Sequence, residues 1–181
     1  MNGILGDLAD LEQQACEWIR SLQRDHGEAA TPLPEKMRDH LAGFFPAPTV
    51  ERVRVCVLPE IPTPPFLVEA AGAGLPLLDF HLMAAFTAEN LVLINPVRIS
   101  GLEAKARAIL FHELVHVHQC GALGLETFMH EYISSVAAYR NYRDIPLEAA
   151  AYEAQDRYVL NPEEAFSADE MVRTMRRWTG V

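Results

Sequence analysis

A stretch that is apolar on every side, apart from two histidines and a glutamate, constrains this chain more than any other feature. Residues 111–116 read FHELVH, and the residues around the two histidines are Ile109, Leu110, Leu114, Val115 and Val117. A helix that is apolar all round is a buried helix. Two imidazoles and a carboxylate inside such a helix are costly unless they have partners or bind a metal ion. The sequence therefore predicts a buried central helix over residues 102–120, capped by Gly121.

The two histidines have the spacing of an HExxH motif. His112 and His116 are four residues apart, so on a helix they lie one above the other on the same face. Two imidazoles held in this way can bind one zinc ion, and Glu113 can reach a water on that metal and take its proton. A shuffled chain of this composition contains the motif in roughly two to three cases in a hundred. The competing interpretation is that both are hydrogen-bonded core histidines.

A catalytic zinc ion usually has three protein ligands and one open position, so a third ligand is expected downstream. His118 is about 200° around the helix from His116 and should point away from the metal. The helix predicted over residues 146–160 offers two glutamates. Glu148 borders the apolar stripe of this helix, whereas Glu153 lies among charged residues on the expected solvated face. We therefore predict Glu148 as the third ligand and Glu153 as a surface residue.

The remaining pattern predicts an α+β fold that is mostly helical. Further helices are expected over residues 4–24, 35–45 and 125–139, and a last one opens at the capping box of residues 167–170 and ends near residue 178. Prolines should stop the second helix at residues 46–48 and keep residues 59–65 irregular. Period-two alternation predicts a strand over residues 52–58, with Val53, Val55 and Val57 on one face.

A second strand is predicted at Leu91–Ile94, after a turn at residues 88–90. A small sheet containing both strands should cover the buried helix. Residues 70–74 read as a small-residue loop, and residues 75–87 fit either a strand or a buried helix. A second capping box at residues 100–103 should begin the central helix.

Composition limits the class of protein. The chain has 181 residues, of which 50% are hydrophobic and 22% are charged, which favours one globular domain over residues 1–181. Its net charge of −10 argues against a nucleic-acid partner. No apolar run is long enough for a membrane span, and the beginning of the chain is unlike a signal peptide. With Cys16, Cys56 and Cys120 expected as reduced thiols, these features predict a cytoplasmic protein, and the preference for Arg over Lys is common in bacteria.

The two polar motifs resemble those of zincin metallopeptidases whose third ligand is a glutamate on a later helix, the gluzincin arrangement. The likeness is strongest to small bacterial domains with an HELxHxxQ motif followed by PLExxAY, here residues 112–119 and 146–152. Repressor-cleaving bacterial metallopeptidases look similar around the second motif. The resemblance covers about residues 90–160, and residues 1–85 match nothing known to us.

This resemblance implies a minimal zincin-like domain with zinc bound by His112, His116 and Glu148 and with Glu113 as the general base. It also implies a peptide or protein substrate that pairs with the strand Leu91–Ile94. The chain departs from the thermolysin-like pattern at Tyr152, which stands where an acid would support a metal ligand. The connection from His116 to Glu148 is also long.

Three functions remain open at this point. The first is a zinc-dependent peptidase or amidase. The second keeps His112, His116 and Glu148 but binds iron, as in mononuclear oxygenases, where Glu113 has no required role. The third is a non-catalytic regulatory or effector module on a retired zincin fold. For the hydrolase, the candidates that could stabilise an oxyanion are, by residue type, Tyr132, Tyr139, Tyr142, Tyr152 and His130.

Overall fold

The helix that carries the two histidines is the centre of the fold. The computed structural model describes residues 2–67, 80–99, 103–139 and 141–179, with the side chains of residues 2–7, 137 and 174–179 left undescribed. In chain order the main elements are α1 (Asn2–His26), β1 (Thr31–Pro32), α2 (Glu35–Leu41), α3 (Ala47–Arg52), β2 (Arg54–Val57), β3 (Ala85–Ala88), β4 (Leu91–Ile94), α4 (Pro96–Ile99), α5 (Glu103–Leu123), α6 (Leu125–Ala138), α7 (Pro146–Leu160) and α8 (Ala168–Thr179). The predicted α+β, mostly helical fold is confirmed.

Helix α5 is buried along most of its length, as predicted. One apolar cluster packs on it from α2, α7 and α8, where the rings of Phe111 and Tyr158 stack with centroids 4.2 Å apart. A second cluster joins α1, the sheet and α6, with Ile19, Leu93 and Phe128 among its members. Because apolar groups press on it from both sides, the helix can carry polar side chains only where they have specific partners.

The sheet is small and mixed, with the strand order β1-β2-β4-β3. Strands β1 and β3 are antiparallel to their neighbours, whereas β2 and β4 run parallel. The predicted turn before β4 is present, and Glu89 at this turn has a positive φ of 55°. Strand β3 lies against α5, because the Thr87 hydroxyl is 3.0 Å from the backbone oxygen of Glu113. The sheet therefore packs on the buried helix, as expected.

Two predictions between residues 46 and 58 need correction. Pro46 and Pro48 do not end the second helix, which stops at Leu41; they begin α3, because proline fits the first turn of a helix, where its missing N–H has no helical partner. The proposed face holds for Val53 and Val55, which both pack in the first cluster, but not for Val57, which is 63% exposed. Both sides of β2 carry apolar cover, because Val55 packs on the first cluster and Cys56 belongs to the second.

The predicted cap at Gly121 is also wrong, because α5 continues to Leu123. Gly121 has a different reason to lack a side chain: a Cβ there would overlap the guanidinium of Arg52, which donates to the backbone oxygen of Val117. The chain leaves the helix at Gly124, whose φ of 82° lies in the left-handed region that favours glycine.

The other elements follow the predictions closely. Helix α7 has the predicted bounds, α1 begins and ends two residues further out, and α2 ends at Leu41 before a run of turns. At the start of α8 the Ser167 hydroxyl accepts from the backbone N–H of Glu170 at 3.2 Å, as a capping box requires. The three cysteines are free and buried.

Some predictions fall partly or wholly on undescribed residues. The loop at residues 70–74 and the serine of the capping box at residues 100–103 lie outside the description, and only residues 80–87 of the ambiguous 75–87 segment are described. There, residues 80–82 form a 3-10 helix and β3 follows. In the described ranges, no helix combines the length and the apolar character that crossing a bilayer requires.

Candidate metal centre

Helices α5 and α7 bring the two polar motifs together. The ring nitrogens His112 Nε2 and His116 Nε2 are 3.1 Å apart. Glu148, in the first turn of α7, places Oε2 at 3.3 Å from His112 Nε2 and Oε1 at 3.4 Å from His116 Nε2. The approach is close because Ala151 and Ala154, both fully buried, are among the residues that face α5. The structure thus brings the three predicted ligands into one buried cluster.

The spacing and chemistry of this cluster fit a metal ion. Ligands arranged tetrahedrally at zinc, with bonds of about 2.0–2.1 Å, are separated from one another by about 3.3–3.4 Å. Two imidazoles and a carboxylate are also a donor set that zinc accepts. In addition, Glu148 Oε2, a buried atom of the cluster, has no hydrogen-bond partner in the described structure, which is rare for buried polar atoms. This buried His/His/Glu group could hold a metal ion.

Gln119 sets the orientation of His116. The Gln119 side-chain oxygen lies 2.8 Å from His116 Nδ1, and its amide nitrogen donates to the backbone oxygen of Leu147 at 2.9 Å. Because an amide oxygen only accepts, Nδ1 of the imidazole carries the proton in this hydrogen bond. In a neutral His116 the lone pair of Nε2 then points to the cluster, as a metal ligand requires.

Two tyrosines hold the carboxylate of Glu148. The Tyr142 hydroxyl donates to Glu148 Oε1 at 2.5 Å, and the Tyr132 hydroxyl lies 2.9 Å from the same oxygen. Burial raises the pKa of both phenols, and the negative charge of Glu148 raises it further. Both groups therefore stay protonated and act as donors. Oε1 is occupied by these contacts, whereas Oε2 is the oxygen without a hydrogen-bond partner.

The charges in the cluster are strongly coupled. Burial by itself lowers the pKa of His116, but the neighbouring Glu148 carboxylate outweighs it and raises the pKa to about 9. Burial by itself raises the pKa of Glu148, and the positive charge of His116 outweighs it, so that the pKa falls well below its ordinary value. Without a metal ion the pair is therefore ionic, and a metal must displace the proton of His116.

Glu113 is held next to the cluster by the edge of the sheet. The Thr87 hydroxyl of β3 lies 2.7 Å from Glu113 Oε2. Both His112 and Glu113 are 7% exposed and line the same cavity, which has a volume of about 610 Å³. A general base must reach the water it deprotonates, and Glu113 lines the cavity that His112, His116 and Glu148 also line.

The other candidate residues separate into two groups. Tyr132, Tyr142 and Tyr152 line the cavity, and the Tyr152 ring lies 4.5 Å from that of His112. By contrast, Tyr139 is 45% exposed and His130 pairs with Glu12 at 2.9 Å on the surface.

The two residues predicted to lie away from the cluster do so. Glu153 is exposed, as predicted. His118 points away from the cluster and contacts Thr49 and Asp169 instead.

Sequence reasoning missed two residues that hold the site. Gln119 follows His116 by three positions, so its place on the same helical face was readable from the spacing. Thr87 had no such signal, because it reaches Glu113 from a strand 26 residues earlier in the chain. Tyr152 stands where an acid would support a metal ligand in the thermolysin-like pattern. Here Gln119 and the two tyrosines, Tyr132 and Tyr142, supply the polar contacts to the predicted ligands instead.

The expected pairing of a peptide with Leu91–Ile94 is not available. This strand, β4, is hydrogen-bonded to β2 on one side and to β3 on the other. The edges of the described sheet are β1 and β3, and β3 is the edge strand whose residues line the cavity beside the cluster.

Comparison of the chain with known protein families, with curated proteins and with solved structures finds no match. Fold and site together define an α+β, mostly helical protein with a buried His/His/Glu group that could hold a metal ion. The role of His112, His116 and Glu148 as ligands remains a prediction. Any statement about function must therefore be argued from the site itself.

Proposed function

We propose that this protein is a zinc-dependent hydrolase that cleaves a peptide or amide bond, with His112, His116 and Glu148 as the metal ligands. One observation carries the proposal: two buried imidazole nitrogens lie 3.1 Å apart, and the Glu148 carboxylate approaches each of them with one of its oxygens, at 3.3 and 3.4 Å. One ligand atom from each residue lies within 4.8 Å of the others, close enough for a single zinc ion. The likeness of residues 112–119 and 146–152 to gluzincin motifs supports the same reaction.

Each residue around the cluster has a role in this proposal. A bound zinc ion would supply Lewis acidity and would lower the pKa of a water. Glu113 would accept a proton from the attacking water at its carboxylate and would deliver it to the leaving amine, while Thr87 keeps the carboxylate in place. Tyr152 is the candidate donor to the carbonyl oxygen of the substrate. Burial and the charge of Glu148 raise the pKa of this phenol, so it keeps its proton.

The position of Glu113 favours the hydrolase over an iron enzyme. A His/His/Glu iron site has no required role for a second carboxylate beside it. Here Thr87 fixes that carboxylate at the wall of the cavity that the ligands also line. A side chain placed in this way is expected for a general base.

The experiment that tests the proposal is metal analysis combined with the Glu113→Gln variant. Elemental analysis of the purified protein should find about one zinc per chain. Glu113→Gln should keep that zinc, since the ligands are untouched, and should lower hydrolysis of a peptide library, read by mass spectrometry, by at least roughly 100-fold. Glu153→Gln is the matched control on the exposed side of α7. Full activity in Glu113→Gln would exclude this mechanism, and iron in place of zinc would favour the oxygenase.

A further inference from the structure

The cavity beside the cluster is much larger than a site for one amide bond requires. Its volume of about 610 Å³ is in the range of sites for small-molecule ligands. At roughly 30 Å³ for each water-sized group, it holds about 20 non-hydrogen atoms. Tryptophan, the largest natural side chain, would fill roughly half of it. The space therefore fits something larger than a single side chain.

The polar and apolar parts of the cavity wall are segregated. The polar side chains that line the cavity lie together. Most of them belong to the His/His/Glu cluster or contact one of its members or Glu113, and the rest lie one helical turn from a residue that makes such a contact. The rest of the wall is apolar and includes two stripes that face each other, one on α1 with Leu11 and Trp18, the other on α6 with Met129 and Ile133. Trp18 also contacts Phe80 and Phe86, which extend the apolar wall.

This segregation discriminates between possible occupants. A peptide segment carries an N–H and a C=O at every residue, and each of them needs a partner when it is buried. The edge of β3 offers backbone groups on one side of the cavity, but the backbones of α1 and α6 use their own groups within the helices. Apart from the Tyr132 hydroxyl, which is bound to Glu148, the described residues of α1 and α6 that line the cavity offer hydrocarbon and aromatic surface. An alkyl chain has no polar group to satisfy, and it can fill this space without any buried group left unpaired.

We propose that the cavity binds the long alkyl chain of an N-acyl amine, with its amide group at the His/His/Glu cluster. The reaction assigned to this substrate rests on the proposed hydrolase function. In it, the oxygen of water bonds to the carbonyl carbon and the C–N bond breaks. The nitrogen takes the proton, and the products are a fatty acid and a free amine.

The test is a chain-length series measured as binding. N-acylglycines with butanoyl, octanoyl and dodecanoyl chains are titrated by calorimetry, below their micellar concentrations, into the Glu113→Gln protein. Affinity should rise by about two- to fourfold for each methylene that enters an apolar site, so dodecanoylglycine, with eight more methylenes, should bind at least roughly 250-fold more tightly than butanoylglycine. Affinity that does not depend on chain length would overturn the proposal, as would tighter binding of an unacylated apolar peptide.

A matched pair of variants on α1 locates the chain. Leu11→Trp should fill part of the cavity and weaken binding of dodecanoylglycine at least tenfold, whereas Gln14→Trp, on the exposed side of the same helix, should not. Equal loss in both variants would contradict the assignment. If Leu11→Trp does not fold, the chain-length series still decides, because it leaves the apolar walls of the cavity unaltered.

Zinc content measured on the same samples separates this inference from the proposed function. Binding that depends on chain length in a protein that takes up no zinc would support the cavity assignment and refute the hydrolase. Zinc uptake and peptide cleavage without any dependence on chain length would leave the hydrolase intact and overturn the acyl-chain proposal.

Discussion

Helix α5 carries buried histidines in two environments, and the contrast between them is informative. His118 has one separate partner for each ring nitrogen: Thr49 Oγ1 at 3.0 Å from Nδ1 and Asp169 Oδ1 at 3.1 Å from Nε2. Nε2 of His116 instead faces the Nε2 atom of His112 and the carboxylate of Glu148. Both environments are buried and both include an acid, so burial and charge alone do not distinguish them.

The difference lies in what would satisfy the atoms. Around His118 hydrogen bonds are sufficient, and burial lowers the pKa of this histidine in spite of Asp169. Around His116 two imidazole nitrogens converge on the same point as a carboxylate, and Glu148 Oε2 has no hydrogen bond. A cation at that point satisfies all three groups together. The two histidines therefore differ in their partners: each ring nitrogen of His118 has a partner of its own, whereas Nε2 of His116 shares one point with Nε2 of His112 and the carboxylate of Glu148.

The largest effect is expected from removing a histidine of the cluster. His116→Ala should weaken zinc binding by at least roughly 1,000-fold, because one of three ligands is lost. His118→Ala, two residues away on the same helix, should leave the zinc affinity of the folded protein unchanged. Competition with a chromophoric chelator measures both affinities.

The same pair of variants also tests whether His118 contributes to stability and not to metal binding. His118→Ala removes the partner of the buried Thr49 hydroxyl and one of the two partners of Asp169, which still pairs with Arg173. Its free energy of unfolding should therefore fall by about 1–3 kcal/mol in urea titrations. Zinc loss in His118→Ala together with retention in His116→Ala would reverse the two roles.

A somewhat smaller effect is expected from the carboxylate. Glu148→Gln keeps an oxygen that can accept from Tyr142 but removes the charge, so zinc affinity should fall by roughly 100-fold. Glu153→Gln, five residues further along α7, should bind zinc as tightly as the unaltered protein. Measured side by side by calorimetry, a loss in Glu153→Gln alone would show that the ligand had been assigned to the wrong glutamate.

The helices with a clear apolar periodicity were predicted well from the sequence. The close approach of His112, His116 and Glu148 was predicted as well. An apolar stretch around His112 and His116 had to be buried, and the alanines of α7 allowed that helix to approach closely. The register at residues 52–58 was not predictable in the same way. Alternation assumes one covered face, and β2 has apolar cover on both sides.

The residues that hold the site were harder to predict than the site itself. Tyr132 and Tyr142 were candidates only by residue type, and their contact with Glu148 depends on how α6 and the 3-10 turn at Tyr142–Asp144 pack. Thr87 depends on β3 reaching α5, a contact between distant parts of the chain that no local pattern encodes.

Gln119 provides an effect of intermediate size. Gln119→Leu removes the acceptor for His116 Nδ1 and should weaken zinc binding by roughly 10- to 100-fold, because the imidazole loses its fixed orientation. Gln119→Glu keeps an acceptor at this place and should recover part of the loss. An equal loss in both variants, determined with the same chelator assay, would mean that Gln119 acts through packing and not through the hydrogen bond.

The smallest expected effect is on the pH dependence of the free energy of unfolding, which should differ between His116 and His118. In metal-free protein the raised pKa of His116, about 9, means that its charged form is favoured by folding. That contribution is fully present below the ordinary pKa of about 6.5 and is lost as the pH rises through 9. The free energy of unfolding should therefore fall between pH 7 and 8.5 by no more than about 1.4 kcal/mol per pH unit, the limit for one proton.

His118 should give the opposite sign at lower pH. Its pKa is lowered, so its contribution is present above 6.5 and is lost as the pH falls from 6.5 through the lowered value. Urea titrations of the metal-free protein, of His116→Ala and of His118→Ala across pH 5 to 9 separate the two. His116→Ala should abolish the alkaline slope, and saturating zinc should abolish it as well, because the metal replaces the proton on His116. An alkaline slope that persists in His116→Ala would show that another group carries it, and the ionic pair with Glu148 would then be the wrong description of the metal-free cluster.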